Sequence, residues 1–218
     1  MVAAVANVSP PPCHEVLPLI DAATRYVPCA TYSVVKVPDA FVAVDTMDLK
    51  RHRVDDKNSR LVLLAETMEG YKNLMQLASV AYLDGFYYRA RIDRNLLRQH
   101  GKGIIALAGT RSDVGKWLVD GDMEKARERA AEYRDILGAE NFFFELLHQP
   151  DSPTAKETNE SFVALGKELG IGVVASRNVY YLKPEQAEAR SLLLCIKDNR
   201  TLEERERSVT ADNDLSMS

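Results

Sequence analysis

Residues 60–83 read RLVLLAETMEGYKNLMQLASVAYL, and residues 84–93 continue directly as DGFYYRARID. The apolar run LVLLA predicts a buried strand. Thr67 is placed to cap the helix that follows, with Glu69 near the positive end of that helix. Gly85 predicts where the helix stops. This stretch therefore predicts one strand-then-helix unit.

The same alternation continues towards the carboxyl terminus. Strands are predicted in GKGIIALAG (101–109), NFFFELL (141–147) and IGVVAS (171–176). A short helix is predicted to begin at Asp93, and further helices are predicted over residues 113–119, 123–137, 154–169 and 184–196. Parallel strands need a crossover connection, which a helix supplies, so these units predict a parallel α/β sheet.

The amino-terminal part predicts a helix over residues 14–26 that leads into a strand, VPCATYSVVKV (27–37). A short strand follows at Phe41–Val44, and the charged residues 47–60 predict a solvated loop or hairpin tip. We expect one domain over residues 14–205, with a flexible proline-rich lead-in at 1–13 and a polar tail at 206–218.

Composition limits the classes of function. The chain has 218 residues, of which 46% are hydrophobic, so it can bury a large single core. The net charge of −4 provides no general cationic surface for a nucleic-acid backbone, so we expect any DNA contact to be indirect. Three cysteines are too few for a disulfide framework, which indicates a reducing, cytoplasmic setting. Since no apolar run approaches the roughly 20 residues that cross a bilayer, we expect no membrane association.

Chemistry in α/β folds gathers where the strands end. At the predicted strand ends stand neutral amides, hydroxyls, one arginine and one imidazole. The residues are Thr110 after IIALAG, His148 and Gln149 after FFFELL, and Arg177, Asn178 and Tyr180 after VVAS. A cluster of divalent ions needs several His, Asp, Glu or Cys ligands, so this set predicts a poor metal site.

The quoted stretch and the phrases around it, from about Leu19 to Leu202, resemble the PHP (polymerase and histidinol phosphatase) domain of bacterial DNA polymerase III α subunits. The resemblance implies an α/β fold, a distorted (β/α)7 barrel, which in this chain would be incomplete at its amino-terminal end. It also implies a trinuclear metal site in the family. Two of the segments that supply metal ligands there, HxH and DH, have no counterpart in residues 1–25.

The resemblance further assigns the metal-ligand positions, and the matched ligands are replaced here. The family's CEVY motif reads CATY at residues 29–32, and Arg60 takes the place of the histidine that precedes LVLLA. The family's SGC turn reads AGT at residues 108–110, ELQDH reads ELLHQ at 145–149, and NDVHY reads RNVYY at 177–181. The vestigial metal-site positions are Ala30, Arg60, Thr110, His148, Gln149, Asn178 and Tyr180. We therefore expect no catalytic residue and no cofactor in this chain, with zinc, manganese or magnesium only if the metal site is retained.

The resemblance implies a role in DNA replication as the PHP portion of a DNA-directed DNA polymerase, which is a nucleotidyltransferase. The polymerase active site would lie in a downstream region that this chain does not contain. The expected role is a structural module that contacts the polymerase body, with the proofreading exonuclease subunit as a further candidate partner. The alternatives are a metal-dependent phosphoesterase or 3'-5' exonuclease with residual activity through His148, and a stand-alone adaptor for another replication protein.

Two further groups have competing interpretations. The cluster from Phe86 to Arg91 interleaves aromatic and basic residues as single-strand binders do, but we favour a core-anchoring aromatic loop. Glu145 lies inside an apolar strand and could be a catalytic acid. We favour a structural role in which it pairs with a basic residue such as Arg177. Tyr180 and Tyr181 are expected to close the mouth of a barrel.

Overall fold

The structure is a computed structural model, and it describes residues 35–36, 40–54, 58–148, 153–177 and 180–201. Within these ranges the chain forms seven strands and six α-helices. The strands are β1 (Val35–Lys36), β2 (Ala40–Val42), β3 (Ser59–Ala65), β4 (Arg91–Ile92), β5 (Ile104–Ala108), β6 (Phe142–Leu147) and β7 (Gly172–Ser176). The helices are α1 (Met68–Leu83), α2 (Arg94–His100), α3 (Asp113–Val119), α4 (Met123–Leu137), α5 (Pro153–Leu169) and α6 (Ala187–Asp198).

The strands form one mixed sheet in the order β4-β2-β3-β5-β6-β7, with β1 paired to β3. The pairs β5–β6, β6–β7 and β2–β4 are parallel, as the strand-then-helix pattern predicts. The expectation of a wholly parallel sheet is wrong for β3, which runs antiparallel to β1, β2 and β5. The α/β class is confirmed, while the sheet does not close between β4 and β7 in the described part of the chain.

Buried and half-buried side chains alternate along β3, and this alternation shows which face of the sheet is covered. Leu61, Leu63 and Ala65 are buried, whereas Arg60 and Leu64 are only half-buried. The covered face packs against α1, α4 and α5. Its centre is a chain of aromatic rings at centroid distances of 5.0–5.7 Å, formed by Tyr133, Phe142, Phe144 and Phe162. Burial of these large apolar side chains is the main source of stability.

Side-chain caps begin the helices where local chemistry predicts. Thr67 Oγ1 accepts a hydrogen bond of 3.0 Å from the amide of Gly70 at the start of α1. Asp93 accepts from the amide of Leu96 at 2.8 Å and starts α2. Each cap satisfies an amide that has no partner inside its helix, which stabilises the helix by about 1 kcal/mol.

The first part of the charged stretch, residues 47–54, is a loop, as expected, and a buried arginine holds it, whereas Ser59 and Arg60 at its end belong to β3. Arg91 is 0% exposed. Its Nε donates to the Gly85 carbonyl at 3.0 Å, and its Nη2 donates to the Met47 and Leu49 carbonyls at 2.8 and 3.2 Å. One side chain thus joins β4, the end of α1 and this loop.

The core-anchoring interpretation of the aromatic cluster is wrong for two of its rings. Phe86 is 51% and Tyr88 is 66% exposed, and the member that is fully buried is Arg91. The turn explains this arrangement, because Tyr88 has a positive φ of 58° and the strand β4 that follows presents the arginine to the interior.

The carboxyl-terminal helix starts later than the proline predicts. Pro184 opens a short 3-10 turn, Pro184–Gln186, and α6 begins at Ala187. Cys195 is buried, as expected of a small apolar residue, whereas Cys13, Cys29, the helix at 14–26 and most of the strand at 27–37 lie outside the described residues. None of the described helices has the length and hydropathy needed to cross a bilayer.

Candidate functional site at the carboxyl edge

Four strand termini meet at one edge of the sheet. The parallel strands β5, β6 and β7 end there at Ala108, Leu147 and Ser176. Because β3 is antiparallel to β5, its first residue, Ser59, lies at the same edge. We call this edge, with the residues that directly adjoin these four termini, the carboxyl edge.

The structure brings two of the predicted positions together at this edge. The amide of Arg60 donates a hydrogen bond of 3.0 Å to the carbonyl of Arg111, the residue that follows Thr110. The Arg60 guanidinium lies 5.3 Å from the centroid of the Phe41 ring. Helix α3 passes close to Thr110, since a Cβ added at Gly115 would lie 2.6 Å from the Thr110 Cα.

A lysine that the sequence analysis missed completes this part of the edge. Lys116 Nζ donates to the carbonyl of Asn58 at 2.8 Å and to Ser59 Oγ at 3.3 Å. Desolvation lowers the pKa of Lys116, the Asp113 carboxylate opposes that shift, and the Arg60 guanidinium adds to it. Lys116 lies inside a helix, and no motif or spacing connects it with β3, so only the antiparallel pairing reveals the contact.

The ends of β6 and β7 form the other half of the edge. The amide of His148 donates to the Ser176 carbonyl at 2.8 Å, which continues the β6–β7 pairing by one residue. Asn159 on α5 donates through Nδ2 to the Leu147 carbonyl at 3.0 Å. His148 is half-buried there.

The remaining predicted positions are placed differently. Tyr180 is 54% exposed and stacks against α6, with the Arg190 guanidinium 4.0 Å from its ring centroid. That exposure does not agree with an aromatic plug in a barrel mouth. Ala30, Gln149 and Asn178 lie outside the described residues.

Unpaired polar atoms concentrate at the carboxyl edge. Among the described residues, the buried side-chain atoms without a hydrogen bond are Nδ2 and Oδ1 of Asn58, Oδ1 of Asn159 and Oγ of Ser176. All three residues adjoin the strand termini defined above, Asn58 before β3, Asn159 against the end of β6, and Ser176 at the end of β7. A buried polar group without a partner destabilises a fold by about 1 to 3 kcal/mol.

The chemistry of these side chains does not fit a multinuclear metal site. Divalent ions need anionic or imidazole ligands in number, and the described residues contain no group of three or more His, Cys, Asp or Glu that could hold a metal ion. At the edge, Arg60 and Lys116 bring positive charge, although desolvation lowers the pKa of Lys116. A cation beside them would be repelled by several kcal/mol at moderate effective dielectric, on the order of 4 kcal/mol for a unit charge at 4 Å.

One carboxylate does lie near this edge. Oε2 of Glu145 is 2.7 Å from the position that a Cβ on Gly109 would take, so the carboxylate lies close to Gly109. Glu145 is half-buried on the face of β6 that the aromatic chain does not occupy. A single carboxylate is insufficient to balance several divalent ions.

Comparison with known proteins identifies the family. The family model described as "PHP domain" matches residues 32–149, which is more than half of the 218-residue chain. This matched range includes the strands β1–β6 and the helices α1–α4.

Three relatives carry the same printed name, DNA polymerase III subunit alpha. The protein of Deinococcus radiodurans is 41% identical over 148 residues, covering 67% of this chain and 11% of the relative. That of Thermus aquaticus is 36% identical over 172 residues, covering 78% and 14%. That of Treponema pallidum is 34% identical over 168 residues, covering 75% and 14%. The chain thus spans only a small part of the length of the relatives it matches.

Proposed function

The chain belongs to the PHP domain family, and from this premise we propose that it acts as the PHP portion of a bacterial DNA polymerase III α subunit, in a structural and partner-binding role during DNA replication. The observation that carries the structural role is the carboxyl edge, where Arg60 and Lys116 bring positive charge and the described residues offer no group of three or more His, Cys, Asp or Glu. Such a set of residues is better suited to holding a fold together than to holding a metal cluster.

The proposed role requires a surface that the polymerase body would cover, and α6 provides one. Leu193 and Ile196 are 67% and 77% exposed, and Leu192 is 42% exposed on the same helix. Leu182, just before the 3-10 turn, adds a further apolar side chain at 59% exposure. Exposed apolar groups at this density are typical of interaction surfaces.

We assign the α6 surface to the remainder of the polymerase subunit. The matched regions cover only 11–14% of the relatives, so most of each relative lies outside the part that this chain resembles. Large apolar contacts are characteristic of permanent interfaces, such as those between the parts of one subunit. The proofreading exonuclease subunit is a second proposed partner, and DNA contact would be indirect.

The finer architecture is part of the proposal. We propose that the mixed sheet belongs to a distorted (β/α)7 barrel that is incomplete at its amino-terminal end, within domain limits of residues 14–205. The pairing of seven strands in one sheet, with parallel pairs at β5–β6 and β6–β7, supports this view. The setting that we propose is the cytoplasm, where replicative polymerases work.

Binding experiments test the role of α6. We would co-express the tagged chain with a polymerase body that lacks its own PHP portion and compare the wild type with the double variant Leu193→Ser, Ile196→Ser. We expect the double variant to lose about tenfold in co-purified polymerase, because two anchors of an apolar interface are removed. The matched control is Leu83→Ser, an 80% exposed leucine at the end of α1, which should bind like the wild type.

A metal and activity assay tests the competing enzyme. The purified chain would be examined for zinc, manganese and magnesium, and for hydrolysis of a nitrophenyl phosphate and of single-stranded DNA. We expect neither stoichiometric metal nor turnover. Bound metal together with activity that disappears in His148→Ala would replace our proposal by the phosphoesterase or exonuclease alternative.

A further inference from the structure

We propose that an aromatic surface at the end of α1 binds unpaired bases of a single-stranded nucleic acid by stacking. The side chains of Tyr82, Phe86, Tyr88 and Arg89 define this surface, which leads into β4, the outermost strand at the end of the sheet away from β7. The inference goes beyond the proposed function, in which DNA contact is indirect because the chain has a net charge of −4. Stacking does not require a net positive charge, so a local contact is compatible with this composition.

Three rings of the aromatic surface are exposed to solvent. Tyr82, Phe86 and Tyr88 are 69%, 51% and 66% exposed. The rings of Tyr82 and Phe86 stack on each other, with centroids 6.4 Å apart and 27° between their planes. Adjoining exposed rings are typical of interaction sites. Since nucleobases are planar aromatic groups, stacking on these rings would remove apolar surface of both partners from water.

The backbone that carries these rings is held in place. The buried side chain of Arg91 donates to the Gly85 carbonyl at 3.0 Å, and the amide of Tyr87 donates to the Arg89 carbonyl at 3.0 Å. Between Tyr87 and Arg89, Tyr88 has a φ of 58°, in the left-handed region that a bulky side chain rarely adopts. Strained backbone of this kind persists where surrounding contacts fix it, and it is concentrated at binding sites. A surface that is fixed in advance loses little conformational freedom when a ligand binds.

A loop with several basic residues adjoins the aromatic surface. The Arg91 guanidinium that contacts Gly85 also donates to the Met47 and Leu49 carbonyls, so the loop at residues 47–54 lies beside the turn. Over residues 45–54 and 84–90, the basic residues are Lys50, Arg51, Arg53 and Arg89, and the acidic residues are Asp45, Asp48 and Asp84. Four basic residues against three acidic ones leave a small positive excess, so phosphate contacts would add to stacking without dominating it.

Residue chemistry distinguishes the aromatic surface from the apolar surface on α6. The exposed apolar side chains that we assign to the polymerase body, on α6 and just before its 3-10 turn, are leucine and isoleucine. The aromatic surface instead presents rings interleaved with basic residues. This is the combination by which proteins bind single-stranded nucleic acids without reading their base sequence. We therefore assign the aromatic surface to a single strand, and a protein partner is the alternative that the test has to exclude.

Titration followed by fluorescence anisotropy tests this assignment. The full chain would be added to labelled thymidine and uridine oligonucleotides of about 12 nucleotides, and to a DNA duplex of about 12 base pairs. We expect both single strands to bind at least about tenfold more tightly than the duplex, because bases inside a duplex already stack on one another. Tighter binding of the thymidine strand indicates DNA as the source of the bases, and tighter binding of the uridine strand indicates RNA. Both results support the inference, as does equal binding of the two strands.

Matched variants test whether the rings bind the bases. We expect Phe86→Leu to weaken binding of the single strands about tenfold, because the variant keeps an apolar side chain and loses the ring. Phe86→Tyr keeps the ring and should bind like the wild type. The control is Leu83→Ser, since Leu83 is 80% exposed next to Tyr82 and has no ring, and it should also bind like the wild type. Circular dichroism and the Tm of each variant verify folding.

Three results would overturn the inference. The first is a wild-type chain that binds neither single strand at concentrations up to about 0.1 mM. The second is a duplex that binds as tightly as the single strands. The third is a Phe86→Leu variant that binds no differently from Leu83→Ser, which would show that the ring itself is not needed and would favour a protein partner. These measurements do not involve α6, so their outcome is independent of the co-purification experiment that tests the proposed function.

Discussion

The Tyr133 hydroxyl donates a hydrogen bond of 2.9 Å to Oδ2 of Asp113, and this bond joins the middle of α4 to the first residue of α3. Tyr133 is 0% exposed and packs on Phe142. Burial, the nearby carboxylate and the hydrogen bond raise the pKa of Tyr133 well above its usual value, so the hydroxyl keeps its proton and remains a donor.

We predict that Tyr133→Phe lowers the free energy of unfolding by about 1 to 3 kcal/mol, because a buried carboxylate loses a donor while the apolar packing of the ring is kept. Urea denaturation followed by circular dichroism measures the change. Tyr71→Phe is the matched control, since Tyr71 is 38% exposed, and it should change stability by no more than about 0.5 kcal/mol. Equal effects of the two variants would argue against a structural role of this bond.

A second prediction concerns pH. Burial raises the pKa of Asp113 above its ordinary value of 3.8, although Arg129, Tyr133 and the Val114 amide oppose the shift. A group with a raised pKa in the folded state contributes stability below its unfolded pKa and loses that contribution as the pH rises through the folded pKa. Asp113 therefore makes the fold relatively less stable as the pH rises above about 4.

Asp113→Asn removes this titration while keeping an oxygen that accepts from Tyr133. We expect the difference in Tm, variant minus wild type, to become more positive as the pH rises from about 4 to about 7. Thermal denaturation at several pH values measures that difference. A constant difference, or one that becomes more negative, would show that the Asp113 pKa is not raised.

The buried arginine gives a third prediction. We expect Arg91→Met to lower the free energy of unfolding by about 3 kcal/mol, because the carbonyls of Gly85, Met47 and Leu49 lose their donor. Arg89→Met is the control, since the Arg89 side chain is exposed with its guanidinium 4.8 Å from the centroid of the Phe41 ring, and its effect should be about 1 kcal/mol or less. Hydrogen exchange should also become faster in residues 45–54 of the Arg91 variant alone, and unchanged exchange there would contradict the contact.

The fourth prediction concerns close packing at the start of α1. A Cβ at Gly70 would lie 1.8 Å from the Gly103 carbonyl oxygen. Glycine to alanine inside a helix is normally stabilising by about 0.5 to 1 kcal/mol. Here we expect Gly70→Ala to be destabilising by about 1 to 3 kcal/mol, because helix and loop must separate.

Denaturant unfolding of Gly70→Ala measures this reversal of sign. Ser79→Ala on the exposed part of α1 is the control and should lie within about 0.5 kcal/mol of the wild type. A Gly70 variant that is more stable than the wild type would mean that α1 and the Gly103 loop are farther apart than described.

How much of the fold is visible in the sequence differs between elements. The predictions for residues 113–119 and 123–137 are confirmed at both ends as α3 and α4, because Ser112 and Asp122 cap these helices locally. Asp93 likewise starts α2. Signals of this kind depend only on neighbouring residues, so they are readable without a structure.

The direction of β3 is not visible in this way. LVLLA reads as a buried strand in either direction, and residues 47–60 fit either a loop or a hairpin tip, of which only the hairpin makes β3 antiparallel to β2. Only the register with β5, in which Val62 lies opposite Leu107, shows that the start of β3 reaches the carboxyl edge. The same limit applies to Phe86 and Tyr88. Their sequence predicts side chains in the core, whereas the structure exposes both.

The sequence by itself determined the helices α1–α5, the buried strands β3 and β5–β7 and the family, since these depend on residue identity and short spacing. The tertiary structure alone decided that Lys116 contacts Asn58 and Ser59, and that the unpaired polar atoms share one edge. The physical reason is that contacts between residues 57 or 58 positions apart depend on strand pairing, which no local pattern encodes.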